Sequence, residues 1–274
     1  MLYLVSTPIG NLGDISRRAK DVLATADLVA CEDTRTSRNL FNLLGIKVKA
    51  TTAYHDHNAD TARPKLIQKL KQGLTIALVS DAGTPLISDP GYKLVRDCQK
   101  EGIKVSTVPG ANAVLSALQL SGLSSASFYF GGFLPTKSGA RKEHLKQVQN
   151  LKSTLLFYES PNRLLKALQD IFAVYGNREM VVVRELTKKF EEVKKDSVEN
   201  LITYYTQNGQ PKGKLVLVVE GAHEAPCQQE YDWPTLIKTV RPKYPVKKAS
   251  ELLSKETGLN KKEIYQMIID YEKK

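Results

Sequence analysis

Short apolar runs recur along the first half of this chain. Each stops at a polar turn rich in glycine, proline or hydroxyl residues, and an amphipathic stretch follows. Leu2–Val5, Leu28–Cys31, Ile76–Val79 and Val105–Val108 read as strands. The continuously apolar ones among them, such as Ile76–Val79, suit buried strands. Between them the apolar positions take helical spacing. Asp14 is placed to cap a helix reaching Ala24, because a carboxylate accepts from the free amides of a first turn. Further helices are expected over residues 35–44, 62–72 and 91–101. Gly45, Gly73 and Gly102 follow them, the residue type that ends helices in the left-handed conformation. This alternation predicts a mostly parallel sheet with helices on both faces.

The pattern continues as a second α/β unit. Strands are expected at 128–130, 154–158, 180–185 and 215–219, and helices at 113–120, 163–174 and 198–207. The polar stretch Gly221–Glu230 reads as a linker. Beyond it only helical signals remain, over Thr235–Val240, Val246–Leu253 and Lys261–Tyr271. Gly258-Leu259-Asn260 forms the last turn, with Asn260 as a cap, and the unit resembles a helix-turn-helix. The expected organisation is an N-terminal α/β domain (1–112), a C-terminal α/β domain (113–224) and a small helical domain (231–274).

Composition narrows the function classes. The 274 residues can hold one large or two medium domains, and carry a net charge of +11. Residues 231–274 contribute +4 of that charge, the highest density in the chain. A basic balance favours a polyanionic partner such as nucleic acid, or else a solvated lysine-rich surface. The three cysteines are scattered, with no Cys-x-x-Cys, which indicates neither a zinc site nor a disulfide framework. No apolar stretch approaches the ~18 residues of a spanning helix, and the N-terminus lacks the features of a signal peptide. A cytoplasmic protein without a membrane partner is expected.

The chemistry concentrates at strand ends, where open α/β sheets bind ligands. Leu2–Val5 runs into Ser6-Thr7-Pro8-Ile9-Gly10-Asn11-Leu12-Gly13-Asp14. Ile76–Val79 runs into Ser80-Asp81-Ala82-Gly83-Thr84-Pro85, and Val105–Val108 into Pro109-Gly110-Ala111-Asn112-Ala113. Three small-residue loops at three such ends suggest one pocket lined by exposed backbone. Neither a dinucleotide fingerprint nor a Walker sequence is present. Asp81 can accept from a ligand ammonium or hydroxyl, or cap its own loop. Asp89, before Pro90-Gly91, reads as a helix cap. Cys31-Glu32-Asp33-Thr34-Arg35 gathers two acids and an arginine at another strand end, as a base with a substrate clamp or as a helix cap through Thr34 or Thr36. His55-Asp56-His57 reads as an exposed loop rather than a metal site. The glycine-flanked segment Phe130–Lys142 presents Lys137, Arg141 and Lys142 as phosphate grips, or is a solvated loop. Glu159 with Arg163, and Arg184 with Glu185, end two more strands as binding groups or ion pairs.

Taken in order, these motifs resemble the tetrapyrrole methylase superfamily, and within it the bacterial small-subunit ribosomal RNA cytidine 2′-O-methyltransferases. Tyr54-His55-x-His57-Asn58, Gly132-Phe133-Leu134-Pro135 and Tyr158-Glu159-Ser160-Pro161 complete the set, which covers residues 1–220. The resemblance implies two α/β domains with S-adenosylmethionine in the cleft between them, and a homodimer. It implies a substrate in the small ribosomal subunit, a decoding-centre cytidine of 16S rRNA (cytidine 1402). The donor should meet Pro8, Ser80, Asp81, Gly83, Thr84, Pro85, Asn112 and Ala113 from the first domain. Tyr158, Leu186 and Thr187 should meet it from the second. Superfamily relatives place Gly-Asp-Pro where this chain has Asp81-Ala82-Gly83, which argues against a corrin or porphyrin substrate.

The implied reaction is an in-line displacement at a sulfonium methyl by a ribose 2′-hydroxyl. Aligning the two can supply roughly 7–11 kcal/mol of the barrier. Candidates for the base are Asp33, Glu32 and Glu159. Arg35, Arg184 and Lys188 are candidates for steadying the sugar-phosphate, and Lys137, Arg141, Lys142 and Arg163 for the RNA beyond it. The competing readings are a methyltransferase for a tetrapyrrole or a protein side chain, and a non-catalytic ribosome-binding factor.

Overall fold

The structure is a computed structural model that describes residues 1–222, 232–257 and 260–272. Residues 1–222 form one unit containing two five-stranded sheets.

The first sheet is wholly parallel, in the order β3-β2-β4-β1-β5: β1 Leu2–Val5, β2 Leu28–Cys31, β3 Thr51–Ala53, β4 Ile76–Val79 and β5 Val105–Val108. Its strands alternate their side chains between two cores. Leu28, Ala30, Ile76 and Leu78 pack on one face, and Val29, Cys31, Ala77 and Val79 on the other. Burial on both faces is why these runs are continuously apolar. The connecting helices are α1 Arg17–Thr25, α2 Thr34–Leu43, α3 Ala59–Lys71 and α4 Tyr92–Lys100. Two expected caps differ. Ser16, whose side chain accepts from the Ala19 amide, caps α1, while Asp14 sits in a preceding 3₁₀ turn. Asp33, not a threonine, caps α2, accepting from the Arg35 amide at 2.7 Å.

The second sheet is mixed, in the order β6-β7-β10-β8-β9. Its strands are β6 Phe128–Phe133, β7 Thr154–Glu159, β8 Glu179–Arg184, β9 Glu192–Ser197 and β10 Leu215–Val219. Only β6 and β7 pair in parallel, and β10 is antiparallel to both neighbours. The helix α5 Ala113–Ser121 packs on one face, in a cluster that includes Leu156, Val181 and Val218. α6 Ser138–Val148, α7 Leu164–Tyr175 and α8 Val198–Asn208 supply the core on the other face. β3, β9 and α6 have no counterpart in the sequence-based expectation. The edge strand β9, Glu192-Val193-Lys194-Lys195-Asp196-Ser197, is almost entirely polar, as an exposed edge that must not recruit another chain tends to be.

In the second unit, α9 Trp233–Val240, α10 Val246–Thr257 and α11 Lys261–Glu272 bury Ile237, Ala249, Leu253, Ile264 and Ile268 together. Asn260 accepts from the Lys262 amide at 2.9 Å, as a cap should. The expected linker lies mostly outside the described residues, as do Gly258 and Leu259 of the last turn. No helix among the described residues is long and apolar enough to cross a membrane.

Candidate active site

The loops that follow β1, β2, β4 and β5 are stitched together at the carboxyl edge of the first sheet. Thr7 and Gly83 exchange backbone hydrogen bonds at 2.9 and 3.0 Å. The Ser6 hydroxyl donates to Thr84 Oγ1 (3.2 Å), and the Thr84 hydroxyl to the Ala111 carbonyl (3.1 Å). The Asp33 amide donates to Asp81 Oδ1 at 3.2 Å, and the Asp81 amide to Glu32 Oε2 at 3.3 Å. Asp81 therefore caps an amide of the neighbouring loop.

A cavity of about 470 Å³ opens beside this array, within the usual range for small-molecule sites. The first sheet's loops contribute Ile9, Ala82, Ile87, Ser88 and Asp89 to its wall. α5 contributes Ala113, and the second sheet contributes Tyr158, Glu159, Glu185, Leu186, Lys188 and the Gly213–Val216 segment. Among the described residues, four that are not glycine have positive φ: Leu86 (72°), Ser88 (63°), Glu185 (49°) and Thr187 (64°). All four lie in the two loops that face each other across the cavity. Left-handed backbone at a non-glycine residue costs of order 1–3 kcal/mol and collects at functional sites.

Three carboxylates line the cavity, in different states. The Glu159 side chain is fully buried, paired with Arg163, and accepts from the Ser160 amide at 2.7 Å. Glu185 is held below the usual carboxylate range by the Lys188 ammonium at 2.9 Å, helped by the Lys214 amide. Asp89 is pushed up to about 6. Burial is the main cause; the charges of Glu32 and Asp81 add to it, and the Ser80 hydroxyl and Lys214 oppose it. Burial, with Asp89 nearby, pushes the Tyr158 phenol up to about 12, so it stays protonated. The Tyr158 ring meets Phe130 edge-on at 5.0 Å and Phe133 at 5.1 Å.

Of the expected site residues, Ala113, Tyr158, Glu159, Leu186 and Lys188 line the cavity. Pro8, Gly83 and Pro85 are buried and do not line it; they lie in the loops that the Thr7–Gly83 and Thr84 hydrogen bonds tie together. Ser80 sits at the end of β4, and Asn112 spends its carbonyl oxygen capping α5. Thr187 Oγ1 is buried without a partner among the described residues. Asp33 and Arg35 pair with each other away from the cavity wall, and the Arg35 side chain is 90% exposed.

The structure places several of the expected residues in other company. Arg141 does not face solvent. It is 2% exposed in α6, where it grips Asp170 and the Pro135 and Thr136 carbonyls. Lys142 shares Asp170 at 3.4 Å. Arg163 is committed to Glu159 and the Leu134 carbonyl, and Arg184 to Glu192. Lys137 remains exposed before α6. Asp89 is not a helix cap. Gly91 occupies the cap position of α4, without a side-chain cap bond. Sequence reasoning also missed Ile87, Ser88 and the Gly213–Lys214 segment, because long-range packing brings them to the site. The one available signal was the acidic Ser88-Asp89-Pro90 in an otherwise small-residue loop.

Residues 1–202 match the family model described as Tetrapyrrole (Corrin/Porphyrin) Methylases. A protein of Vibrio cholerae called ribosomal RNA small subunit methyltransferase I is 48% identical over 97% of this chain and 93% of its own length. Its namesake in Mesorhizobium japonicum is 46% identical over 98% and 91%. The fold is shared with a diphthine synthase (TM-score 0.62, 18% identity, 80% of this chain and 89% of the other). It is also shared with uroporphyrin-III-C-methyltransferase from Thermus thermophilus (0.56, 18%, 79% and 93%). The chain belongs to the tetrapyrrole methylase family, in the branch of the ribosomal RNA small subunit methyltransferase I proteins.

Proposed function

We propose that this chain transfers the methyl group of S-adenosylmethionine to the 2′-oxygen of a decoding-centre cytidine, cytidine 1402, of 16S rRNA in the small ribosomal subunit. The observation that carries this reading is the extent of the likeness: 46–48% identity runs through 97–98% of the chain, basic tail included, to proteins named for small-subunit rRNA methylation.

The residues present fit the donor. When bound, S-adenosylmethionine supplies a methyl carbon made electrophilic by its sulfonium. Pro8, Ser80, Asp81, Gly83, Thr84, Pro85, Asn112 and Ala113 would hold it from the first sheet, and Tyr158, Leu186 and Thr187 from the second. The unpartnered Thr187 hydroxyl is spare bonding capacity beside the cavity. On the RNA side, Phe133 is 61% exposed against Tyr158 and offers a face for a base. Arg35 and Lys137 keep exposed cations for phosphates, and Lys142 keeps a half-exposed one. Arg141 has no part in this reading, and Glu32 and Asp33 hold the loop network. We place the domain limits at 1–112, 113–224 and 231–274, and propose a cytoplasmic homodimer acting on the assembled subunit.

The test is direct. Purified protein, labelled S-adenosylmethionine and small subunits lacking their native modifications are mixed, and the digested RNA is searched by mass for 2′-O-methylcytidine. Its appearance is the expected result. Its absence with donor binding intact would move the assignment to a tetrapyrrole or protein substrate, and no donor binding at all to a non-catalytic ribosome-binding factor. Truncation at residue 225 should weaken methylation of subunits while sparing donor affinity. Unchanged turnover on subunits would remove the tail's role.

A further inference from the structure

We propose that Asp89 is the base of this site, accepting the proton of the substrate hydroxyl as that hydroxyl takes up the methyl group. The assignment rests on the ribose-hydroxyl reading above.

Geometry singles Asp89 out. The cavity wall carries three carboxylates, and two are already neutralised, Glu159 by Arg163 and Glu185 by Lys188. No cation among the described residues forms an ion pair with Asp89. Its backbone is confined on both sides: Ser88 is held at φ 63°, and Pro90 fixes its own φ near −65°. The groups that face it are Ser80 and Asp81 from its own loop, Glu32 after β2, Lys214 before β10 and Tyr158 at the end of β7. Two of these are acids, so a proton taken up by Asp89 is favoured over a third negative charge in a partly desolvated cluster. The other candidates lack this position. Glu32 and Asp33 hold the β2 loop to the β4 loop and do not line the cavity.

The step balances. The hydroxyl oxygen bonds the methyl carbon, and the carbon–sulfur bond breaks with its electron pair remaining on sulfur, leaving a neutral thioether. The hydroxyl proton passes to Asp89 and then to water. An ordinary aspartate, near 3.9, is a weak base for this task. One raised to about 6 lies closer to the working pH, where a general base is most effective.

The experiment compares the full-length wild type with Asp89→Asn. It reads single-turnover methylation of unmodified subunits across pH, donor affinity by calorimetry, and the carboxyl resonances of ¹³C-labelled aspartate. The wild-type rate should rise with pH through about 6 and then level. In Asp89→Asn the plateau should fall about 10²- to 10⁴-fold and the rising limb should vanish. Donor affinity should stay within about threefold. One aspartate resonance titrating near pH 6 should disappear. A variant that keeps its rate, keeps the same acid limb, or loses donor affinity and rate in parallel would overturn the assignment. Wild-type protein that methylates no ribose would bring down the acceptor reading, and this assignment with it. Wild-type activity matched by the variant would bring down this assignment alone.

Discussion

Arg141→Ala should lower the free energy of unfolding by about 3–5 kcal/mol, the usual cost of removing one partner from a buried ion pair. Arg141 binds Asp170 at 2.6 Å, with side-chain exposures of 2% and 9%. Its removal leaves a buried carboxylate whose remaining partners are Ser138 at 2.9 Å and Lys142 at 3.4 Å. It also frees the Pro135 and Thr136 carbonyls that lead into α6. Burial pushes Asp170 up, but the Ser138 and Arg141 hydrogen bonds and the Arg141 charge outweigh it, so its carboxyl lies below the usual range. A carboxylate lowered by folding stabilises the fold above its unfolded pKa. That contribution fades as pH falls through the folded value. Wild-type stability should therefore drop on acidification below about pH 4, and Arg141→Ala should drop less steeply. Urea unfolding at neutral and acid pH measures both. A variant of normal stability with a weaker, less salt-dependent RNA affinity would restore the phosphate-grip role that the sequence suggested.

Gly91→Ala should reduce donor affinity at least tenfold, about 1.4 kcal/mol, with a similar or greater loss of stability. Gly91 has φ of +137°, a conformation that side-chain-bearing residues rarely adopt. A methyl group there would lie 2.7 Å from Leu86 Cδ1 and 2.8 Å from Leu78 Cδ2. Leu78 is 1% exposed in the core and has little room to move. Relief must come from the 81–91 loop, which carries Ala82, Ile87, Ser88 and Asp89 to the cavity. Calorimetry with S-adenosylmethionine and urea unfolding read the two effects. Wild-type affinity in a destabilised variant would show that the loop does not shape the donor site.

How far the site could be read from the chain varied with the range of the interactions. The strands β2, β4 and β10 were legible residue by residue, because burial on both faces writes itself as continuous apolar runs. The convergence of the loops after β1, β4 and β5 was legible too, since parallel strands put their carboxyl ends on one edge. β9 was not legible, because an edge strand holds its place by pairing with β8 and not by burying side chains. α6 was missed for a related reason. Its one deeply buried polar anchor, Arg141, looks in sequence like any other member of a basic stretch.

The same division separates Asp89 from Glu159. Both stand beside a proline or serine at a strand-end loop, and nothing local ranks them. Arg163, four residues along, neutralises one. The other's raised affinity for a proton comes from burial and from Glu32, fifty-seven positions away in the chain. Local pattern alone determined the alternation of strand and helix, the family motifs and the basic helical tail, because short-range periodicity and turn chemistry encode them. Tertiary structure decided which charges face the cavity and which are paired beneath it. Pairing and desolvation depend on neighbours that only the folded chain brings within a few ångströms.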